Sequence, residues 1–297
     1  HPHTHDPRTN PPTLSTTHLE NVHDNTQTKL EGYSRADLLS CVAKKTEQTP
    51  LLFDVDGTLA NTERDGHRVA FNAAFDEYGT GWHWDVDLYG KLLAVTGGKE
   101  RMKFYASEFL HNQNLPDNFE QLVPELHAAK TRHYTQMLSA GTIPLRPGVE
   151  RLLQEARKQN LRLAIATTTT PENITALLEN TLGSDSIGWF DVIAAGDIVP
   201  AKKPASDIYD FALREMELEP GECLAIEDSH NGILSSMGAG IPTIITVNDY
   251  TRDHDFNGAL LVLDNLGEPD QPFNVLQGNA HNHSYVDCAL LKTLQDK

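Results

Sequence analysis

Cysteine, positive charge and long apolar runs are all scarce in this chain. Its three cysteines, Cys41, Cys223 and Cys288, are scattered with no close pairing. That excludes a disulfide framework and points to a reducing compartment, the cytoplasm or, in a photosynthetic eukaryote, the plastid stroma. Lys and Arg number 24 against 42 Asp and Glu, a formal net charge of −18. A chain so acidic is a poor partner for nucleic acid or an anionic membrane surface. An anionic substrate would need a local positive site working against the overall field. No apolar run approaches the roughly 20 residues that a helical membrane span requires. No apolar secretory segment and no internal repeat is visible.

What remains is the composition of an ordinary globular protein, 39% hydrophobic and 7% aromatic over 297 residues. That length allows a large core and two domains, and a monomer is expected. Residues 1–48 are polar and Pro-rich, opening on His1, His3 and His5, and are expected to form an extension disordered in part. The clustered histidines are expected to be a solvated tail rather than a metal site. A short helix capped by Ser34 is the one element expected there.

The stretch Pro50-Leu51-Leu52-Phe53-Asp54-Val55-Asp56-Gly57-Thr58 organises the rest. A short apolar run cut off by turn residues marks a buried parallel strand, and ligands bind beyond the carboxyl ends of such strands. Asp54 and Asp56, two apart on extended chain, point the same way and share one site. Like charges so close need a proton or a cation between them. Three more apolar strands end in polar groups. Leu161–Thr167 runs into Thr167-Thr168-Thr169-Thr170-Pro171, where hydroxyls and the free amides of a helix start form a phosphate cradle. Trp189–Ala194 leads towards Lys202-Lys203-Pro204, and Glu222–Ile226 ends in Glu227-Asp228-Ser229. Acids at two strand tips suit a magnesium ion, although Glu227 and Asp228 are equally good N-caps for the next helix. Gly240–Val247 is a fifth strand and Ala259–Asp264 a last, edge strand. Tyr285–Leu294 is a terminal helical piece.

Between the first two strands the apolar period turns helical. Val69–Tyr78, Trp84–Leu93, Lys99–Leu110 and Phe119–Leu138, the last entered through Pro124, form four candidate helices. They make an inserted lid, with hinges at Thr62–Gly66 and Gly141–Pro144. Within it, Thr96-Gly97-Gly98-Lys99-Glu100-Arg101 lets backbone approach a ligand and offers a helix N-terminus flanked by two cations. On composition alone this is a helix-helix turn; its place in the lid of an acidic protein favours phosphate contact. Glu63 and His67, on the hinge side, are further substrate candidates.

The ordered set Asp54-x-Asp56-Gly57-Thr58, Thr167, Lys203-Pro204 and Glu227-Asp228 resembles the haloacid dehalogenase-like phosphohydrolases. The resemblance spans about Leu51 to Asp264. It implies a Rossmann-like, doubly wound parallel α/β sheet with an inserted helical cap. The expected division is core at 49–62 and 143–265, cap at 63–142 and a tail at 266–297. It further implies that Asp54 is the nucleophile and Asp56 the acid and base. Thr167 and Lys203 would spread phosphoryl charge, with Mg²⁺ held by Asp54, Glu227, Asp228 and the backbone carbonyl of Asp56. The wording Thr62-Glu63…Gly66-His67-Arg68…Phe71-Asn72, with Thr96–Arg101, resembles the CbbY type of sugar phosphatase. That implies a small sugar bisphosphate as partner, xylulose 1,5-bisphosphate, an inhibitor of Rubisco. Thr168, Thr169 and Thr170 would touch the sugar or its second phosphate. A β-phosphoglucomutase-type mutase shares nearly all these residues. Asn61, where relatives carry an acid, keeps open a binding protein that has lost turnover.

Overall fold

The structure, a computed structural model, describes residues 48–95 and 97–296. The histidines at the start, the Ser34 helix, Cys41 and Thr96 lie outside the described residues. Seven strands form one sheet in the order β3-β2-β1-β4-β5-β6-β7. They are β1 (Leu51–Phe53), β2 (Leu163–Ala166), β3 (Val192–Ala194), β4 (Leu224–Glu227), β5 (Thr243–Thr246), β6 (Leu261–Leu263) and β7 (Val275–Gly278). The first six pair in parallel, and β7 is antiparallel to β6. β1 lies inside the sheet between β2 and β4 with all three residues buried, because the sheet is covered on both faces. Leu51 and Phe53 face one way, into a cluster with α5 (Val149–Lys158), α6 (Pro171–Leu182) and α9 (Cys288–Gln295). Leu52 faces the other way, packing with α7 (Asp207–Met216). This is the doubly wound α/β arrangement expected.

Between β1 and β2 the chain makes a π-type turn, Thr62–His67, then α1 (Arg68–Glu77), α2 (Val86–Leu92), α3 (Gly98–Glu108) and α4 (Phe119–Ser139). Phe71, Phe75, Trp82, Trp84, Tyr89 and Leu126 give these helices a hydrophobic cluster of their own. α8 (His230–Gly238) follows β4.

Four expectations need correction. Pro124 does not open its helix but sits inside it, where α4 has already started at Phe119. Trp189 belongs to a short 3₁₀ turn, Ser186–Trp189, so β3 begins three residues later than its apolar run. β6 is not the edge, because β7 pairs outside it; β7 is exposed throughout and carries no alternating pattern to betray it. The segment after 265 is woven into the main core through Leu266, Phe273, Val286, Leu290 and Leu291. Among the described residues no helix is long and apolar enough to cross a membrane, and Cys223 and Cys288 are free thiols.

Candidate active site

The chain leaves β1 at Phe53, and the Asp54 amide still donates to Ile226 O of β4 at 3.1 Å. The next residues cannot stay extended: Gly57 has φ +85°, and a Cβ there would overlap the Asp228 carboxylate. This turn brings Thr58 back, so that its hydroxyl donates to Asp54 Oδ2 at 2.9 Å. β4, adjacent and in register, ends on Glu227 and hands over to Asp228. Oxygens of Asp54, Glu227 and Asp228 lie within 4.8 Å of one another, all three residues buried. Asp56 is not part of that trio through its carboxylate, which accepts from Thr62 Oγ1 at 2.7 Å.

Lys203 closes the group. Its Nζ donates to Asp54 Oδ1 at 2.8 Å, Glu227 Oε1 at 2.5 Å and Ala166 O at 3.0 Å. Burial disfavours the ammonium, yet the facing Asp54 and Glu227 carboxylates hold its pKa above the ordinary range. The acids go the other way. Burial first, then the Asp54 charge, pushes Glu227 up to about 7. Asp228 is raised well above its usual range by burial, Asp54 and Glu227. Asp56 is pushed up to about 6 by burial and Asp54. One ammonium pairs with two of the three clustered acids, so the group holds more buried carboxyls than the chain's own cations offset.

The hydroxyl cradle is less uniform than its sequence. Thr167 is buried at the tip of β2 and accepts from the Thr169 amide at 3.2 Å. Thr169 hydrogen-bonds towards Asp56. Thr168 is exposed, and Thr170 caps α6, accepting from the Asn173 amide at 3.4 Å. Neither Glu227 nor Asp228 caps α8; Ser229 does, accepting from the Gly232 amide at 3.1 Å.

On the helical side, Glu63 accepts from Tyr89 Oη at 2.7 Å. Arg101 is buried and does not present a free fork. It donates to Leu92 O at 3.3 Å, Val95 O at 3.1 Å and Tyr89 Oη at 3.2 Å, tying the end of α2 to α3. Lys99 and Gly97 are exposed and Gly98 is half-buried. His67 stacks on Tyr134 at 3.9 Å, and burial with nearby Lys130 lowers its pKa to about 4. Lys130 itself was not legible as a site residue, since one lysine on a long amphipathic helix carries no signal. Its Nζ meets His67 Nδ1 at 2.9 Å, and burial lowers its pKa to about 8.

Three further residues join the site only in three dimensions. Tyr209 Oη donates to Glu227 Oε1 at 2.5 Å. Asn248 Nδ2 donates to Asp228 Oδ2 at 2.7 Å. Arg146, expected merely to open a helix, spends its guanidinium on the carbonyls of Gly57, Thr246, Val247 and Asp264 at 2.5–3.1 Å. It thereby pins the loop after Asp56 to the tips of β5 and β6. Asp56, Asn61, Glu63, Asp228, Asn248 and Tyr250 line a cavity of about 200 Å³ between strand tips and helices.

Residues 51–240 match the family model of the haloacid dehalogenase-like hydrolases. The chain is 47% identical to the plasmid-encoded CbbY protein of Cupriavidus necator, over 82% of this chain and 94% of that one. It is 36% identical to a CBBY-like protein of Arabidopsis thaliana, covering 80% and 76%. The crystal structure of CbbY from Rhodobacter sphaeroides in complex with phosphate has 43% identity and a TM-score of 0.59, over 73% of this chain and 94% of that one. A mutant of the same bacterial protein, 42% identical and with TM-score 0.59 over the same shares, was crystallised with xylulose 1,5-bisphosphate. The chain therefore belongs to the haloacid dehalogenase-like hydrolases and, within them, to the CbbY branch, as a phosphatase.

Proposed function

We propose that this phosphatase removes one phosphate from a sugar bisphosphate, xylulose 1,5-bisphosphate foremost, through a phosphorylated Asp54. The observation that carries the proposal is the buried convergence of Asp54, Glu227 and Asp228, with Lys203 paired to the first two. The bound sugar bisphosphate of the 42% identical relative supports the choice of substrate. In this reading residues 63–142 are a cap over a core of 49–62 and 143–265.

The donor set fits a divalent cation. All three clustered ligands are carboxylates, and Glu227 Oε2 is buried without a hydrogen-bond partner. Hard oxygen ligands with excess negative charge suit Mg²⁺, held by Asp54, Glu227, Asp228 and the Asp56 carbonyl. When bound, the ion supplies charge neutralisation for the acids and the phosphoryl oxygens.

The chain's own residues do the rest. Asp54, oriented by Thr58 and Lys203, attacks phosphorus as the bond to the sugar oxygen breaks. Asp56, with its pKa near 6, gives that oxygen a proton and later takes one from the water that releases phosphate. Lys203 and the Thr167 hydroxyl offset the developing charge. Lys130 and Lys99 in the cap are the cations available to a second phosphate.

The test is a panel of sugar mono- and bisphosphates incubated with protein and Mg²⁺, assayed for free phosphate and for isomerised product. Phosphate release is expected, and Asp54→Asn should abolish it while leaving the fold intact. Isomerised product without phosphate would establish a mutase instead.

A further inference from the structure

Two polar atoms in the cleft have no partner within the protein. The Asn61 side-chain oxygen and the Tyr250 hydroxyl are both fully withdrawn from solvent and make no hydrogen bond. A buried polar group left unpaired costs free energy, so each such pair of atoms asks for an explanation. Both residues line the same cavity, together with Asp56, Asp228, Glu63 and Leu93. They approach from different segments. Asn61 stands where the chain leaves the nucleophile turn, and Tyr250 stands on the loop after β5.

The Tyr250 ring is held by α2 on one side and its backbone by Asn248. It packs edge-on against Tyr89 with centroids 5.9 Å apart, and it lies over Gly90 in α2, where any side chain would crowd it. Its amide donates to Asn248 Oδ1 at 3.0 Å, and Asn248 in turn holds Asp228. The neighbouring Asp249 pairs with Arg64 of the hinge turn at 2.6 Å. The Tyr250 side chain is therefore held where the loop after β5 meets α2, in the cavity that Asp56 and Asp228 also line. Burial keeps it protonated at neutral pH, with its pKa pushed up to about 12, so it remains a donor. Asn61 contributes an acceptor to the same cavity. The unpaired Asn61 oxygen accepts only, so it cannot pair with a phosphate oxygen and calls for a ligand group that donates.

We propose that Tyr250 and Asn61 form a sugar subsite that hydrogen-bonds the hydroxyl or carbonyl groups of the substrate between its two phosphates, Tyr250 donating and Asn61 accepting. This rests on the sugar-bisphosphatase reading above and adds which uncharged groups read the sugar. A site that hydrogen-bonds a hydroxyl discriminates strongly against analogues without one, because its own polar atoms are then left buried and unpaired.

The experiment compares kcat/KM for xylulose 1,5-bisphosphate with that for p-nitrophenyl phosphate, which has no sugar, in wild type, Tyr250→Phe and Asn61→Ala. Tyr250→Phe keeps the ring and its packing, so the fold is preserved. The loss on the sugar should exceed the loss on p-nitrophenyl phosphate by about 3- to 10-fold in each variant, the size of one uncharged hydrogen bond, and it should fall mainly on KM. Equal losses on both substrates, or none on the sugar, overturn the subsite while leaving the phosphatase reading intact. A wild type that releases phosphate from p-nitrophenyl phosphate but from no sugar phosphate overturns both.

Discussion

Replacing Lys203 by methionine tests the electrostatic account of the site most directly. The ammonium lies 2.8 Å from Asp54 and 2.5 Å from Glu227, with its side chain 9% exposed and theirs 9% and 1%. Methionine fills most of the same volume but leaves two buried carboxylates without their cation. Breaking one partner out of a buried pair costs about 3–5 kcal/mol. For a domain of this size each kcal/mol moves Tm by roughly 2–4 °C, so a fall of about 6–20 °C is expected. Its pH dependence gives a second readout. Glu227 already sits near pKa 7 rather than 4.5, from burial and then Asp54. A carboxyl raised on folding binds more protons folded than unfolded, so it supports the fold at low pH and withdraws that support as pH rises towards its folded pKa. Losing Lys203 raises that pKa further and extends the window upward. The penalty should therefore be larger at about pH 8 than at about pH 5.5. Thermal unfolding in EDTA, followed by circular dichroism, measures both. Added Mg²⁺ should narrow the gap, because the ion offsets the same acids. A variant as stable as wild type at the higher pH, or one penalised more in acid, would refute the reasoning.

The remaining predictions concern packing and acid sensitivity. A Cβ at Gly232 would overlap the Glu227 carboxylate, so Gly232→Ala should destabilise by about 1–3 kcal/mol and weaken the stabilisation by Mg²⁺, both measurable by thermal shift. His67 resists protonation in the fold, with its pKa near 4 against 6.5. The unfolded chain takes a proton that the fold refuses, so this residue costs stability as pH falls from about 6.5 to about 4, by up to about 3 kcal/mol. Denaturant titrations at the two ends of that window should show His67→Gln losing less stability in acid than wild type; an equal loss would assign the effect elsewhere.

Much of the fold is legible because its signals are local. The apolar run at Leu51–Phe53 and the helical period of Val69–Tyr78 each appear within a few residues of where the structure has them. Elsewhere the local signal is weak or misleading. β7 is fully exposed and has no alternation. The Trp189 run looks like strand, but tertiary packing turns it.

The amino-acid sequence by itself determined which polar groups follow the apolar strands: Asp54, Asp56, Thr167, Glu227 and Asp228 directly behind them, and Lys203 nine residues past the end of β3, from 194 to 203. Only the tertiary structure decided what surrounds them. Parallel register sets β1 beside β4 and so places Asp54 against Glu227 across 173 residues of chain, from 54 to 227. Lys130, Arg146, Tyr209, Asn248 and Tyr250 come up to His67, Gly57, Glu227, Asp228 and the cavity respectively, from helices and loops that share no motif with them. Their roles arise from juxtaposition across long loops, and a period read along the chain carries no record of which distant segment will lie opposite.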